Sequence, residues 1–173
     1  MPKRVLFRWG SHTVEEEEVK VKGKKITIRR VTSKNSVCIM PIFGKDSILI
    51  ERQYRKGINK YIYELPAGQM EKGEKPINAA RRELEEETGY RAGKLKFLFK
   101  TYLNPGLETE VVHHFLASDL VKTKQGTDED EYITPIIMKM SQIVKMIKKQ
   151  QIRDNDTLVG ILHYLMMQSK KRR

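Results

Sequence analysis

The alternation of apolar and polar positions divides the chain into short strands first and helices last. "VEEEEVKVKGKKITIRRV" alternates on both sides of Gly23, with Val19, Val21, Ile26 and Ile28 at period two, and reads as a hairpin. "SVCIMPIF" and "SILIERQYR" are two apolar strands separated by the turn signal "GKD". "KYIYEL" is a further short strand, rich in aromatic and β-branched residues. Later strands are expected near "KLKFLFKTYL", "EVVHHFLASDL" and "YITPIIM".

Helical periodicity occurs in three places. The spacing predicts a helix from about Pro76 to Thr88, with proline in its first turn, alanines in its middle and Gly89 as its stop. "SQIVKMIKKQQ", capped by its serine, and "DNDTLVGILHYLMMQ" supply two more near the end. Strands interleaved with one central helix and two terminal ones predict an α+β domain, an α/β/α sandwich. One domain suits 173 residues. N-terminal strands over 1–33 would precede a core over 34–168 and a basic tail over 169–173.

Composition narrows the setting. The single cysteine, Cys38, excludes an internal disulfide framework and a cysteine-based zinc site, and its apolar surroundings predict a buried thiol. No apolar run approaches the roughly 18 residues of a membrane span, and the first residues lack a signal-peptide pattern. A reduced, cytoplasmic protein is expected. The formal charge of +12 favours anionic partners. The lysines are spread along the chain, however, and no Arg-rich helix or aromatic-interleaved basic strand marks a nucleic-acid groove reader.

Against that basic background, Glu83, Glu85, Glu86 and Glu87 crowd into five positions. Each helical residue advances about 100°, so Glu83, Glu86 and Glu87 share one face while Glu85 points elsewhere. Ile77, Ala80 and Leu84 form a separate apolar stripe. Like charges at this spacing cost an isolated helix about 0.2–0.5 kcal/mol per pair. They also lie toward the C-terminus, where the helix dipole disfavours anions. A solvated acidic face paired with Arg81 and Arg82 is one explanation. A hard divalent cation is the other, since Mg²⁺ takes oxygen ligands and bridges carboxylates to substrate phosphates.

The full spacing decides between them. Gly68, Glu74, Arg82-Glu83-Leu84, Glu86-Glu87 and Gly89 stand at the intervals of the Nudix box, so residues 68–90 closely resemble that of the Nudix hydrolases. The one departure is Tyr90, where the family has an aliphatic residue. The resemblance implies a mixed sheet between helices and hydrolysis of a nucleoside diphosphate linked to another group. It implies Mg²⁺, with Mn²⁺ as the alternative, held by Glu83, Glu86 and Glu87. Arg82 would orient that cluster, Gly68 and Gly89 would permit the loop turns, and Glu74 would support the loop.

Flanking segments resemble the ADP-ribose pyrophosphatases of that family: "ERQYR" (51–55), "ELPAG" (64–68) and Pro105 in "NPGLETE" beyond the box. The likeness implies a further metal ligand in the Ala67 carbonyl and substrate contacts from Arg55, Glu64 and Pro105, with Arg29 or Arg30 in a similar part. It also implies a water-activating base in the acidic loop "GTDEDEY", Glu129 first and Glu131 second. ADP-ribose would yield AMP and ribose 5-phosphate. Homodimers are common in this subgroup, and the "VLFRW" segment with Trp9 would serve there, stack on adenine or enter the core. The alternatives are another Nudix substrate (a sugar nucleotide, a dinucleoside polyphosphate or an RNA 5′ end) and a non-catalytic nucleotide-binding module. His113 and His114 fall on opposite faces of a strand and make poor catalytic candidates.

Overall fold

The structure is a computed structural model that describes residues 3–126 and 132–170. Glu129 and Glu131 lie outside the described residues. Three N-terminal strands, β1 (Arg4–Trp9), β2 (His12–Val21) and β3 (Lys24–Thr32), form a small antiparallel sheet in the order β1-β2-β3. The hairpin expected about Gly23 joins β2 to β3, and "VLFRW" adds a third strand at the edge of β2.

Glu15 to Glu18 do not simply face solvent. Glu15 pairs with Lys3 at 2.7 Å, Glu16 with Arg4 and Arg29 at 2.9 and 2.8 Å, Glu17 with Arg30 at 2.6 Å, and Glu18 with Lys25 at 2.9 Å. Opposite charges facing one another across strands give the register an electrostatic component. Trp9 is 76% exposed, so burial in the core is excluded.

The second sheet carries the rest. It comprises β4 (Ser36–Phe43), β5 (Ser47–Arg55), β6 (Lys60–Glu64), β7 (Ala67–Gln69), β8 (Tyr90–Tyr102), β9 (Val111–Lys122) and β10 (Ile133–Lys139). Its order is β10-β5-β4-β9-β8, with β6 beside β5 and β7 beside β4. β4 and β9 run parallel and the other pairs antiparallel, so the sheet is mixed.

Helix α1 (Pro76–Thr88) covers one face; α2 (Met140–Lys148) and α3 (Asn155–Lys170) cover the other. The period of two along β4 makes the division. Val37 and Ile39 pack with Ala79, Ala80 and Leu84 of α1, while Cys38 and Met40 pack with Ile143 of α2 and with Ile161 and Tyr164 of α3. The α/β/α sandwich expected from the pattern is the observed fold. Cys38 is buried as expected, and burial pushes its thiol pKa well up.

Two local expectations need correction. Ile77 lies in the first turn of α1 and is 41% exposed, whereas Ala79, with no exposed surface, joins Ala80 and Leu84 in the buried set. Ser141 does not cap α2. The N-cap falls two residues earlier, at Lys139, and Gln142 Oε1 accepts the Lys139 N–H at 3.0 Å. The limits of α1 agree with the sequence: Pro76 opens it, and Gly89, at φ 69°, closes it by donating its N–H to the Glu85 carbonyl at 2.9 Å.

The contrast between two residues of α1 is measurable. Leu84→Ala removes a side chain with no exposed surface and should cost about 2–5 kcal/mol in urea unfolding. Ile77→Ala should cost less than about 0.5 kcal/mol, as at other surface positions.

Candidate active site

The site begins with strand register. β7 pairs with β4 through Cys38↔Ala67, Val37↔Gly68 and Ser36↔Gln69. The Pro66 carbonyl accepts the Ile39 N–H at 2.8 Å, which makes Ile39–Pro66 a hydrogen-bonded pair and places Ala67 and Gln69 at alternate, outward-turned positions. Their backbone groups therefore face away from β4, toward α1. The Ala67 N–H donates to Glu87 Oε2 at 2.9 Å, and the Gln69 carbonyl accepts from Arg82 at 3.1 Å. The same pleat turns the Ala67 carbonyl to that side.

Gly68 leaves room for a carboxylate. A Cβ there would lie 2.2 Å from Cδ of Glu83, so the carboxylate of Glu83 occupies the space a side chain would fill. A side chain at residue 68 would therefore displace that carboxylate from the place it takes against β7.

The glutamates are less exposed than a surface helix face would be. Glu83 is 9% exposed and Glu87 3%, while Glu86 stands at the rim. Glu51 of β5, 1% exposed, lies near enough to Glu87 to act on its titration. Burial first, then the charges of Glu51 and Glu83, push the Glu87 pKa well up. An acid inside the apolar run "SILIERQYR" was the readable sign of Glu51, which the box pattern does not include.

Arg82 is the cation at the rim of this cluster. It donates to Glu83 Oε1 at 2.8 Å and Glu86 Oε2 at 3.0 Å through one terminal nitrogen, and to Glu74 Oε2 at 3.0 Å through the other. Glu74 also accepts the Glu71 N–H at 2.8 Å, closing the loop before α1. The guanidinium holds the Glu74 pKa below its ordinary value, and Glu74 in turn raises that of Arg82.

Arg55, Ala67, Gly68, Gln69, Glu71, Arg82, Glu83, Glu86, Glu87 and Gly126 line one cleft of about 590 Å³. Arg55 reaches it from the end of β5, with Glu64 behind. Glu64, 3% exposed, receives Arg55 through both oxygens at 2.9 and 3.0 Å. Burial raises the Glu64 pKa, and the Arg55 guanidinium opposes that rise. Gln125 and Gly126 dock on the end of α1, donating to the carbonyls of Glu87 at 2.6 Å and Glu86 at 2.9 Å.

Several sequence candidates fall elsewhere. Pro105 is exposed in a loop whose Leu107 carbonyl accepts the Val31 N–H at 2.8 Å, and it is not among the cleft residues. Arg29 and Arg30 are engaged with Glu16 and Glu17 in the small sheet. His114 hydrogen-bonds Thr101 at 3.0 Å and His113 faces the Ser36 carbonyl at 3.4 Å, both away from the cleft lining. A more apolar cavity of about 400 Å³ between the β4–β5 turn and α3 gathers no comparable set of carboxylates.

The donor set suits a hard divalent cation: carboxylates, one outward carbonyl, and buried repulsion that a cation would relieve. Among the described residues, no three acidic, histidine or cysteine side chains converge into a ready-made cage. Arg82 holds Glu83 and Glu86 instead. Mg²⁺ retains waters and takes phosphate oxygens, so it does not need an all-protein cage.

Comparison with known proteins agrees with this geometry. The NUDIX domain model matches residues 32–158. An ADP-ribose pyrophosphatase of Bacillus subtilis (strain 168) is 34% identical over 154 residues, covering 87% of this chain and 83% of that protein. A methanol dehydrogenase activator of Bacillus methanolicus is 37% identical over 135 residues, 77% of this chain and 72% of the other. A GDP-mannose pyrophosphatase of Shigella flexneri is 36% identical over 132 residues, 71% of this chain and 68% of the other. The fold matches the crystal structure of an ADP compounds hydrolase with a TM-score of 0.86 at 22% identity, covering 99% of this chain and 94% of that one. The sheet, the loop–helix–loop between β7 and β8, and the matched span across both place this chain in the Nudix family of hydrolases.

Proposed function

We propose that this Nudix hydrolase cleaves the diphosphate linkage of ADP-ribose to give AMP and ribose 5-phosphate. The observation that carries the reading is the meeting of Glu83, Glu86, Glu87, the Ala67 backbone and Arg55 in one cleft. The similarity to an ADP-ribose pyrophosphatase supplies the substrate class. Glu83, Glu86 and Glu87, with the Ala67 carbonyl, would hold Mg²⁺, with Mn²⁺ as the alternative. Bound there, the cation would offset charge on the diphosphate and lower the pKa of the attacking water.

The chain's own groups do the remaining work. Arg55 presents a planar guanidinium to a phosphate oxygen, with Glu64 fixing its plane by accepting from both Nε and a terminal nitrogen. Arg82 keeps the glutamates turned to one side and holds the loop through Glu74. The proton lost by water is assigned to Glu129, with Glu131 as the second choice, on sequence grounds alone. We also read the chain as a cytoplasmic homodimer. Phe7 and Trp9 on edge strand β1 are 62% and 76% exposed, which suits an interface. Among the described residues, no helix is long and apolar enough to cross a membrane.

A sugar nucleotide is the second reading, favoured by the GDP-mannose pyrophosphatase relative. A substrate panel separates the two. With Mg²⁺ present, AMP should form from ADP-ribose at least about 10-fold faster than nucleotide is released from ADP-glucose, GDP-mannose, diadenosine polyphosphate or 5′-triphosphate RNA; tenfold corresponds to about 1.4 kcal/mol in the barrier. Preferential turnover of a sugar nucleotide would move the assignment to the second reading.

Glu87→Gln should lower turnover by more than about 100-fold, because even outer partners of a metal site are worth 10–100-fold. Its stability should move the other way. A carboxyl whose folded-state pKa is raised favours the folded state most when protonated, so its contribution declines as pH climbs above the unfolded value. In chelator at pH 7, Glu87→Gln should therefore melt a few degrees above wild type, with the gap closing toward pH 4. Calorimetry across that range checks both the sign and the window.

Gly68→Ala would press on the Glu83 carboxylate, the free end of a flexible side chain that can swing aside. Activity should fall by about 10–100-fold while the melting temperature changes little. Paired thermal scans and initial rates decide it.

A further inference from the structure

The turn that brings Ala67 and Gly68 to the cleft is held from below by a helix that does not line the cleft. Leu65 is the first residue beyond the β5–β6 pairing, which ends with Glu51↔Glu64. Its N–H donates at 2.8 Å to Thr157 Oγ1, in the first turn of α3. Both residues are buried, at 2% and 1% exposure, so the hydroxyl is the partner this amide has in place of a strand neighbour.

α3 is itself pinned at that end. Asp154 Oδ2 accepts the Thr157 N–H at 2.8 Å, and Asp156 approaches Thr101 and His114 at 3.5 Å each. One turn later Gly160 comes so close to Leu65 that a Cβ there would lie 3.1 Å from Leu65 Cδ1. The hydroxyl therefore sits on a fixed support.

On either side of Leu65 the chain runs into the cleft machinery. Glu64 precedes it and holds Arg55 at 2.9 Å. Pro66 follows, its carbonyl taken by Ile39, and then Ala67 donates to Glu87 at 2.9 Å. A shift at Leu65 would move the Arg55 support and the Ala67–Glu87 contact together.

We infer that Thr157 is a positioning residue for the cation site: through Leu65 it fixes where Ala67 and Glu87 stand, although it touches neither substrate nor cation. This rests on the reading of the glutamate face as a divalent-cation site. Groups bonded directly to metal ligands are worth about 10–100-fold in metal affinity, and a support one step further out is expected at the low end of that range.

Mn²⁺ binding to the full chain, followed by electron paramagnetic resonance without substrate, tests it. Thr157→Val keeps the shape and removes the acceptor; its Kd for Mn²⁺ should rise about 10-fold, and the Mg²⁺ concentration for half-maximal activity should rise in parallel. Thr157→Ser retains the hydroxyl and should bind within about twofold of wild type. Should Thr157→Val not fold, Thr157→Ala removes the same acceptor and should weaken Mn²⁺ in the same direction.

Glu87→Gln separates the two levels of the argument. Weakened Mn²⁺ binding in Glu87→Gln with wild-type binding in Thr157→Val, or in Thr157→Ala where that variant stands in, overturns the role of Thr157 alone. Equal loss in Thr157→Ser and Thr157→Val overturns it too, since the hydroxyl would then not matter. Unchanged binding in Glu87→Gln overturns the cation-site reading beneath it.

Discussion

Repulsion among buried carboxylates is the constraint on which the arrangement depends. Glu51, Glu83 and Glu87 are drawn from a strand and a helix into one region from which water is largely excluded. Removing even one such charge from water is expensive, and grouping several costs more. Arg82 offsets part of this at the rim, through Glu83 and Glu86. Glu87 depends instead on the Ala67 amide and on retaining a proton more readily than an exposed acid does. Packing elsewhere has to hold the acids there: Val37 and Ile39 against Ala79, Ala80 and Leu84 anchor α1 to the sheet with almost no exposed surface.

The two faces of the sheet divide the work. On the α1 face the chain accepts poor electrostatics in return for a chemically useful cleft. On the α2–α3 face, apolar contacts among Met40, Ile50, Ile143, Ile161 and Tyr164 supply conventional stability. Strand β4 connects them, since its alternate residues serve both layers, and its register with β7 aims the Ala67 and Gln69 backbone at the helix. A shift of one residue in that register would turn those groups back into the sheet and reverse every β7 side chain.

Much of this was legible in the sequence because it rests on local rules. The limits of α1 follow from Pro76 and Gly89, and the shared face of Glu83, Glu86 and Glu87 follows from helical geometry. What was not legible depends on distant pairings. That Glu64 would stand behind Arg55 requires the β5–β6 pairing, and that Glu51 would lie beside Glu87 requires α1 to dock over β5. Ile77 was misplaced because periodicity gives direction around a helix but not which of its turns are covered. Ser141 was misread because a serine before an apolar run is a signal only when the helix starts there, and Gln142 satisfies the preceding amide first. The acids of "GTDEDEY" lie outside the described residues, so their reading still rests on the sequence.

The parallel pairing of β4 with β9 bears on the order in which the chain assembles. Strands β1, β2 and β3 pair with their sequence neighbours, whereas Ser36 meets Glu110, 74 residues away, and Leu65 meets Thr157, 92 residues away. Contacts that close such long loops form slowly. During synthesis the glutamate helix thus leaves the ribosome well before the strand and the helix that lock its surroundings. Until then its acids remain hydrated, and the burial that defines the finished site is completed only once the last third of the polypeptide is available.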